Sequence, residues 1–145
     1  MTSMDQNKLL IRRYYEEVVN TGDIDRIPDF ISSNYVENYN GVRNECGIEG
    51  AEAHVVGVRE TFSDLTLSVE RQIAEGEWVV SHVVVRGVHK GSWMDMKPTG
   101  KAVEITAVNL DRVIDGKIVE HCGAANMLEP LMHIGAVKAV SYGRN

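Results

Sequence analysis

The stretch AVEITAVNLDRVIDGKIVEHCGAAN, residues 102–126, predicts two antiparallel strands joined by a tight turn at Asp115-Gly116. Apolar and polar residues alternate on both sides of the turn, which is the pattern of half-buried strands. The length of the turn decides which side chains share a face of the sheet. A two-residue loop would put Asn109 opposite Cys122 and would leave His121 on the reverse face.

The alternative is a three-residue loop that ends in a bulge at Gly116. This loop pairs Val113 with Lys117, and it sets Asn109 directly opposite His121. We prefer it because it surrounds an amide and an imidazole with small or apolar side chains, as in a ligand pocket. Those side chains are Ile105, Ala107, Gly123 and Ala125. The competing interpretation is that His121 is a structural histidine in the core or at a strand edge, with its hydrogen bonds satisfied there.

Composition and charge indicate one globular domain spanning residues 1–145. The formal net charge is -6, and no block of lysines or arginines interrupts the mixed charge pattern. Nucleic acids and anionic membranes bind clustered positive charge, so neither is an expected partner. Cys46 and Cys122 form no CxxC motif, and the first ten residues have no signal-peptide pattern. We therefore expect a cytoplasmic protein.

Helices are predicted in the first half of the chain. A capping-box pattern begins at Ser3 and precedes apolar residues at helical spacing. Pro28 is expected to split a second helical segment into two turns. After a short extended piece at 35–36 and a loop over 38–50, apolar residues from Ala51 onwards recur every three or four positions. They predict a third, amphipathic helix.

Strands are predicted in the second half, where the apolar period changes from 3.6 to 2. The segments 65–73 and 78–89 precede the hairpin, which gives four antiparallel strands. A short helix over 127–134, capped by Asn126, and a frayed tail over 143–145 complete the chain. This order predicts an α+β domain in which a curved sheet wraps around the helices and leaves a hollow between them.

The order and spacing of these segments resemble the SnoaL-like polyketide (ester) cyclases of the nuclear transport factor 2-like superfamily. The matching motifs are YYEEVVNTGDID (14–25), YV (35–36), FSDL (62–65), GVHKG (87–91), PTGK (98–101) and RVIDGKIVEH (112–121). The resemblance implies a cone-shaped α+β barrel, usually a homodimer or a higher homo-oligomer, with no metal and no organic cofactor. It also implies ring closure in a polyketide ester by intramolecular aldol condensation.

The chain departs from this family at the catalytic positions. The family's catalytic Asp aligns with Gly123, and its strand His aligns with Asn109. Neither Gly nor Asn can remove a proton alpha to a carbonyl, so the cyclase machinery is not carried over. His121 is the best remaining general base, since a free imidazole titrates near pH ~6.5. In this hypothesis Asn109 holds the developing enolate oxygen.

Further residues are expected to bind the ligand: Tyr15, Tyr35, Asn38, His89, Trp93, Ala107 and Gly123. Tyr15 lies at helical spacing with Val18, so plain core packing competes with a ligand role. His89 neighbours a turn, where a structural hydrogen bond to the loop 91–101 competes with catalysis. Trp93, within that loop, is expected to fold over the pocket or into a subunit contact, because exposed loops rarely leave a Trp unpacked.

Three functions remain open from the sequence. The first is a cofactor-independent cyclase or isomerase that acts on a small apolar oxo compound. The second is a non-catalytic small-molecule-binding or dimerisation module that has lost the family's catalytic Asp. The third is a limonene-type epoxide hydrolase, which requires carboxylates flanking an Arg inside the hollow; the strand arginines Arg71, Arg86 and Arg112 lack acidic neighbours at alternating spacing.

Overall fold

The computed structural model describes residues 1–141, so the predicted tail over 143–145 lies outside the described residues. The helices are α1 Ser3–Tyr14, continued by a π-helical turn Tyr15–Val19, a 3-10 turn Ile24–Arg26, α2 Ile27–Phe30, α3 Gly47–Thr61 and α4 Leu128–His133. The strands are β1 Ile31–Tyr39, β2 Val42–Asn44, β3 Phe62–Glu75, β4 Trp78–His89, β5 Ala102–Ile114 and β6 Lys117–Ala125. Within the described range no helix is long and apolar enough to cross a membrane.

The strands form one curved sheet in the order β2-β1-β6-β5-β4-β3. Neighbouring strands are antiparallel except β1 and β6, which run parallel. The predicted α+β class is confirmed, although the sheet is open and does not close into a barrel. The core lies between the helices and the concave face of the sheet, where side chains such as Ile11, Phe30 and Val79 are fully buried.

Helix α1 begins one residue earlier than the sequence pattern predicts. Thr2 is the N-cap, and its hydroxyl accepts the backbone N–H of Asp5 at 3.1 Å. The carboxylate of Asp5 accepts the backbone N–H of Thr2 in return, which completes a capping box. A carboxylate at this position also opposes the positive end of the helix dipole, so Thr2 with Asp5 is preferred over Ser3 with Gln6.

The loop predicted over 38–50 is wrong in most of its length. Strand β1 continues to Tyr39, β2 follows it, and α3 already begins at Gly47. A turn at Asn40-Gly41, with φ of 50° and 77°, joins the two strands. Asn-Gly is the strongest short-range signal of a hairpin, so this connection was detectable from the sequence. At the other end of the chain, Met127 rather than Asn126 is the N-cap of α4, and it makes no side-chain cap hydrogen bond.

The turn between β5 and β6 contains two residues and not three. Asp115 and Gly116 have φ of 49° and 71°, and Ile114 pairs with Lys117. The expected three-residue loop is therefore wrong. Two consecutive positive φ angles match the right-handed twist of the flanking strands, and Asp-Gly adopts them at low cost.

A bulge on β6 restores the faces that the short turn would have exchanged. Val113 pairs with Ile118, whereas Arg112 pairs with Glu120, so Val119 is one extra residue on β6. Because successive side chains of a strand point to opposite faces, one extra residue reverses every side chain that follows it. The prediction that Asn109 and His121 share the concave face is therefore correct, but the two residues are not directly opposite each other.

Candidate active site

A cavity of about 240 Å³ lies between the helices and the concave face of the sheet. Aliphatic side chains from the π-helical turn, from α3, and from β1 and β3 to β6 form most of its wall. The hydrogen-bonding groups in the wall come from four tyrosines, two histidines, one asparagine and one aspartate. A mainly apolar hollow with a few converging polar groups is the usual composition of a small-molecule site.

Strands β5 and β6 arrange the polar groups at one end of the cavity. The inward-facing pairs follow one another in this order: Asp111 with His121, Asn109 with Gly123, and Ala107 with Ala125. Beyond them, Ile105 pairs with Val85 of β4. The wall thus changes from charged to amide to apolar within a few residues, so a bound molecule with one polar end would be held in one orientation.

The central feature of the polar end is a hydrogen bond between Asp111 and His121. Nδ1 of His121 lies 2.6 Å from Oδ1 of Asp111, and Asp111 is buried. The phenol of Tyr15 donates to Oδ2 of the same carboxylate at 3.0 Å, and the amide of Asn109 donates to the Tyr15 oxygen at 3.0 Å. Because a carboxylate accepts at Nδ1, the Nε2 atom of His121 is the one available to a ligand.

The electrostatics of this network make His121 a stronger base than a free imidazole. Burial by itself lowers the pKa of His121, but attraction to Asp111, its hydrogen bond and the more distant Glu37 outweigh burial and raise that pKa above 6.5. Burial and the Asp111 charge raise the pKa of Tyr15 well above 10.0. Tyr15 therefore stays a neutral donor that holds Asp111, while His121 is the member of the network that can exchange a proton.

The absence of a side chain at Gly123 opens the site beside His121. A Cβ atom at Gly123 would lie 2.8 Å from Oδ1 of Asn109 and 3.7 Å from Nε2 of His121. The carboxamide of Asn109 thus fills the space that a side chain at 123 would need. In return, the glycine leaves the Nε2 side of the imidazole accessible from the cavity.

A second carboxylate–imidazole pair lies at the same cavity, and its imidazole, His54, forms part of the wall. Glu37, only 6% exposed, accepts the Tyr35 phenol at 2.9 Å, and its Oε1 lies 3.0 Å from Nδ1 of His54. The Tyr39 oxygen lies 3.1 Å from the same nitrogen. Burial by itself raises the pKa of Glu37. The hydrogen bond and charge of His54, together with Tyr35 and His121, lower the pKa by more than burial raises it, so the net pKa lies below the usual 4.5. The His54 and His121 rings are neighbours, with centroids 6.0 Å apart.

Six residues predicted from the sequence line the cavity: Tyr15, Tyr35, Ala107, Asn109, His121 and Gly123. Three others lie outside it. Asn38 faces away from the cavity, because its neighbour Glu37 faces inward, and it donates to Glu120 at 2.7 Å. His89 hydrogen-bonds Thr99 of the following loop at 3.1 Å, and Trp93 packs edge-on against the rings of His89 and Phe62. The structure therefore does not bring Asn38, His89 and Trp93 to the cavity with the other six.

Sequence reasoning missed Asp111, Glu37 and His54. A signal existed for Asp111, since it continues the inward alternation of β5 two positions after Asn109. A signal also existed for His54, which falls in the apolar stripe of α3 between Ala51 and Val58. Glu37 had none, because it falls between the extended piece at 35–36 and the loop predicted over 38–50.

The epoxide-hydrolase alternative lacks its required arginine at this site. No arginine lines the cavity in the described part of the chain. Instead, Arg86 and Arg112 bind Glu104 and Glu77 at 3.0 and 2.7 Å on the surface. An epoxide hydrolase of the limonene type would need an inward Arg. Within residues 1–141, no group of three or more His, Cys, Asp or Glu side chains has the geometry of a metal site.

This is an α+β fold whose open sheet and helices enclose an apolar cavity with acid–base side chains at one end. Such a fold and site define a class of small-molecule enzymes and binding proteins. Comparison with known proteins identifies the family within that class. The family model of the SnoaL-like polyketide cyclases matches residues 9–134. This chain therefore belongs to the SnoaL-like polyketide cyclase family, and the resemblance inferred from the sequence motifs is confirmed.

Individual relatives agree with this assignment. The chain is 37% identical over 107 residues to nogalonic acid methyl ester cyclase of Streptomyces nogalater, covering 70% of this chain and 78% of that protein. It is 31% identical over 122 residues to aklanonic acid methyl ester cyclase AcmA of Streptomyces galilaeus, covering 81% and 83%. The crystal structure of AclR, a proposed hydroxylase of Streptomyces galilaeus, superposes with a TM-score of 0.83 at 28% identity, covering 96% of this chain and 87% of that one.

Proposed function

We propose that this protein is a cofactor-independent enzyme that closes a ring in a polyketide ester or a related apolar oxo compound, with His121 as general base. The observation that carries the proposal is the 2.6 Å hydrogen bond between His121 and the buried Asp111 inside the cavity. A carboxylate on Nδ1 orients the imidazole and stabilises the charge that it gains when Nε2 accepts a proton. The ester cyclases among the relatives support the choice of reaction.

The chemistry follows from the positions of the polar groups. Nε2 of His121 takes a proton from the carbon alpha to a carbonyl, and the C–H electron pair becomes an enolate. Asn109 has two amide N–H groups, one of which binds Tyr15, so the other can donate to the enolate oxygen. The enolate carbon then forms a C–C bond with a second carbonyl carbon of the same molecule, and the resulting alkoxide takes up a proton.

Asp111 supports an enzyme over a binding module that has lost its carboxylate. The family's catalytic Asp aligns with Gly123, but Asp111 supplies a buried carboxylate on the adjoining strand, directly opposite His121. The carboxylate therefore lies on β5 in this protein and on β6 in the family pattern. The imidazole of His121 takes the place of the family's carboxylate as the group nearest the substrate. A binding protein for apolar ligands has no need of a buried ion pair, which costs free energy to desolvate.

The test uses nogalonic acid methyl ester and aklanonic acid methyl ester as probes. Ring closure by aldol addition leaves the mass unchanged, so chromatographic separation of the isomers measures the rate. We expect the parent protein to cyclise at least one probe and His121→Ala and Asp111→Asn to lose about 10²- to 10⁴-fold in rate, the usual contribution of a positioned acid or base. His133→Ala, an exposed histidine on α4, is the matched control.

Two results would count against the proposal. A parent protein that binds the probes in a thermal-shift assay but leaves them unchanged would favour the non-catalytic binding module. Cyclisation by His121→Ala at the parent rate would remove His121 as the base.

A further inference from the structure

The second carboxylate–imidazole pair, Glu37 with His54, has the geometry of an acid–base group that takes part in the same reaction. We propose that His54 is a second catalytic residue, the general acid that protonates the oxygen of the attacked carbonyl after His121 has taken a proton from carbon. The inference rests on the proposed function and extends it to residues on β1 and α3. It assigns a role to Glu37 as well, as the positioning residue of His54.

The first support is that the two imidazoles are held in the same way. Each presents Nδ1 to a buried carboxylate, His54 to Glu37 at 3.0 Å and His121 to Asp111 at 2.6 Å. Neither Nε2 atom has a hydrogen-bond partner among residues 1–141, and both rings line the cavity. With centroids 6.0 Å apart and planes at 63°, the rings can reach two atoms of one small substrate.

The second support is the difference in exposure between the two histidines. The side chain of His54 is 44% exposed, whereas that of His121 is 13% exposed. A general acid must be reloaded with a proton after each turnover, and an imidazole in contact with solvent exchanges protons directly. His54 is therefore suited to deliver a proton and recover it from water, while the shielded His121 is suited to act on carbon.

The third support is that Glu37 is buried and is held by hydrogen bonds. A carboxylate buried to this degree is costly unless it is paired and hydrogen-bonded. Tyr35 donates to Glu37 at 2.9 Å, and Tyr39 contacts the His54 nitrogen that Glu37 binds. Three side chains from β1 thus fix one imidazole of α3 by its Nδ1 atom, which leaves Nε2 directed to other partners.

The proton balance of the step is complete. His121 Nε2 accepts the proton from the alpha carbon, and the C–H electron pair is held in an enolate that then forms the new C–C bond. The π pair of the attacked carbonyl moves to its oxygen, which takes the proton from Nε2 of protonated His54. After product release, His121 gives up its proton and His54 regains one through solvent, so no oxidant, reductant or further reactant is required.

The experiment separates proton removal from ring closure. Nogalonic acid methyl ester and aklanonic acid methyl ester are incubated in D2O, and both deuterium incorporation at the alpha carbon and cyclised product are followed. We expect His54→Gln to keep deuterium incorporation near the parent rate and to lose about 10²-fold in ring closure. Glu37→Gln should show the same split to a smaller degree, and His121→Ala should lose both signals.

Each outcome has a defined meaning. Ring closure at the parent rate in His54→Gln overturns the inference, and so does an equal loss of both signals, which would make His54 a structural support of His121. His133→Gln, with circular dichroism spectra of all variants, controls for the loss of a histidine and for folding. A parent protein that neither incorporates deuterium nor cyclises would remove the proposed function itself. If His121→Ala loses both signals while His54→Gln loses neither, the proposed function stands and only the role of His54 is removed.

Discussion

Asn109 and Gly123 share one space on the inner face of the sheet, and this coupling can be measured. A Cβ at Gly123 would lie 2.8 Å from the Asn109 oxygen. We expect Gly123→Ala to cost about 1 kcal/mol by overpacking. In an Asn109→Ala background the same substitution meets only an ordinary contact with His121, and it should be neutral or stabilising because alanine restricts the unfolded chain. Urea unfolding of the four proteins gives the coupling energy, and a value near zero would contradict the packing argument.

The charge state of His121 should make stability depend on pH in a defined direction. Its pKa is raised in the folded protein, so the folded state binds the proton more tightly than the unfolded state. The ionic part of its pairing with Asp111 is complete below pH ~6.5 and is lost as pH rises through the folded-state pKa. We expect the difference in unfolding free energy between the parent and His121→Gln to shrink with rising pH. Urea titrations across this range measure it, and a growing difference would be inconsistent with a raised pKa.

At the residue scale, Asn109 and His121 were placed together by alternation along the strands, an assumed bulge and the preference for small residues around two polar groups. Alternation did not reveal Asp111, although it reaches that position, because an aspartate is seldom fully buried unless it is paired. Asp111 is buried only because Tyr15, 96 positions away, and His121 both bond to it. Partners so distant along the chain leave no local pattern in the sequence.

At the scale of single elements, the β5–β6 turn offers a clean test of backbone conformation. Gly116 has φ of 71°, and an added Cβ would meet nothing within 4 Å. Gly116→Ala should therefore cost about 1 to 2 kcal/mol through the left-handed backbone alone. Gly57 in α3 also has open space around it but lies within a helix, so Gly57→Ala should stabilise by about 1 kcal/mol. Thermal unfolding of both variants should give shifts of opposite sign; two shifts of the same sign would contradict this assignment.

The elements that the sequence predicted best are those with local periodicity. Strand β4 has the bounds predicted for it, 78–89, because the run is rich in valine and turn residues flank it on both sides. Strand β1 was missed in most of its length because Tyr35, Val36 and Glu37 are buried consecutively, which hides the period of two. Its parallel pairing with β6 joins segments more than 80 residues apart. No tight turn connects the two strands, so no local sequence signal predicts this pairing.

At the scale of the whole molecule, the cavity should be separable from the acid–base groups at its end. Ala107 lies in the apolar part of the wall, two positions from Asn109. Ala107→Phe should fill the space, leaving the Asp111–His121 pair intact and excluding ligand. A thermal-shift assay with aklanonic acid methyl ester should lose its ligand-induced stabilisation, which reaches ~2.7 kcal/mol at a hundredfold excess over Kd. Val108→Phe, on the outer face, is the matched control, and an unchanged shift in Ala107→Phe would place the ligand elsewhere.

The overall architecture was more predictable than the site. Helices in the first half, strands in the second and a change of apolar period between them depend on local sequence, and they define an α+β fold. The site depends on which inward side chains meet, and that is decided by the register between strands. A single residue, Val119, sets that register, and its effect could not be deduced from composition or alternation.

The extra residue on β6 has an evolutionary consequence. If Val119 were kept but paired regularly with Arg112, Glu120 would come opposite Asp111 and Cys122 opposite Asn109, with His121 turned to the outer surface. The cavity would then offer a thiol and two repelling carboxylates. Deletion of Val119 would instead remove the bulge together with its extra residue and keep Asp111 opposite His121. Gain or loss of this one backbone irregularity, with the residues unchanged, would therefore exchange the whole set of reactive groups at once, whereas point substitutions would have to replace them one by one.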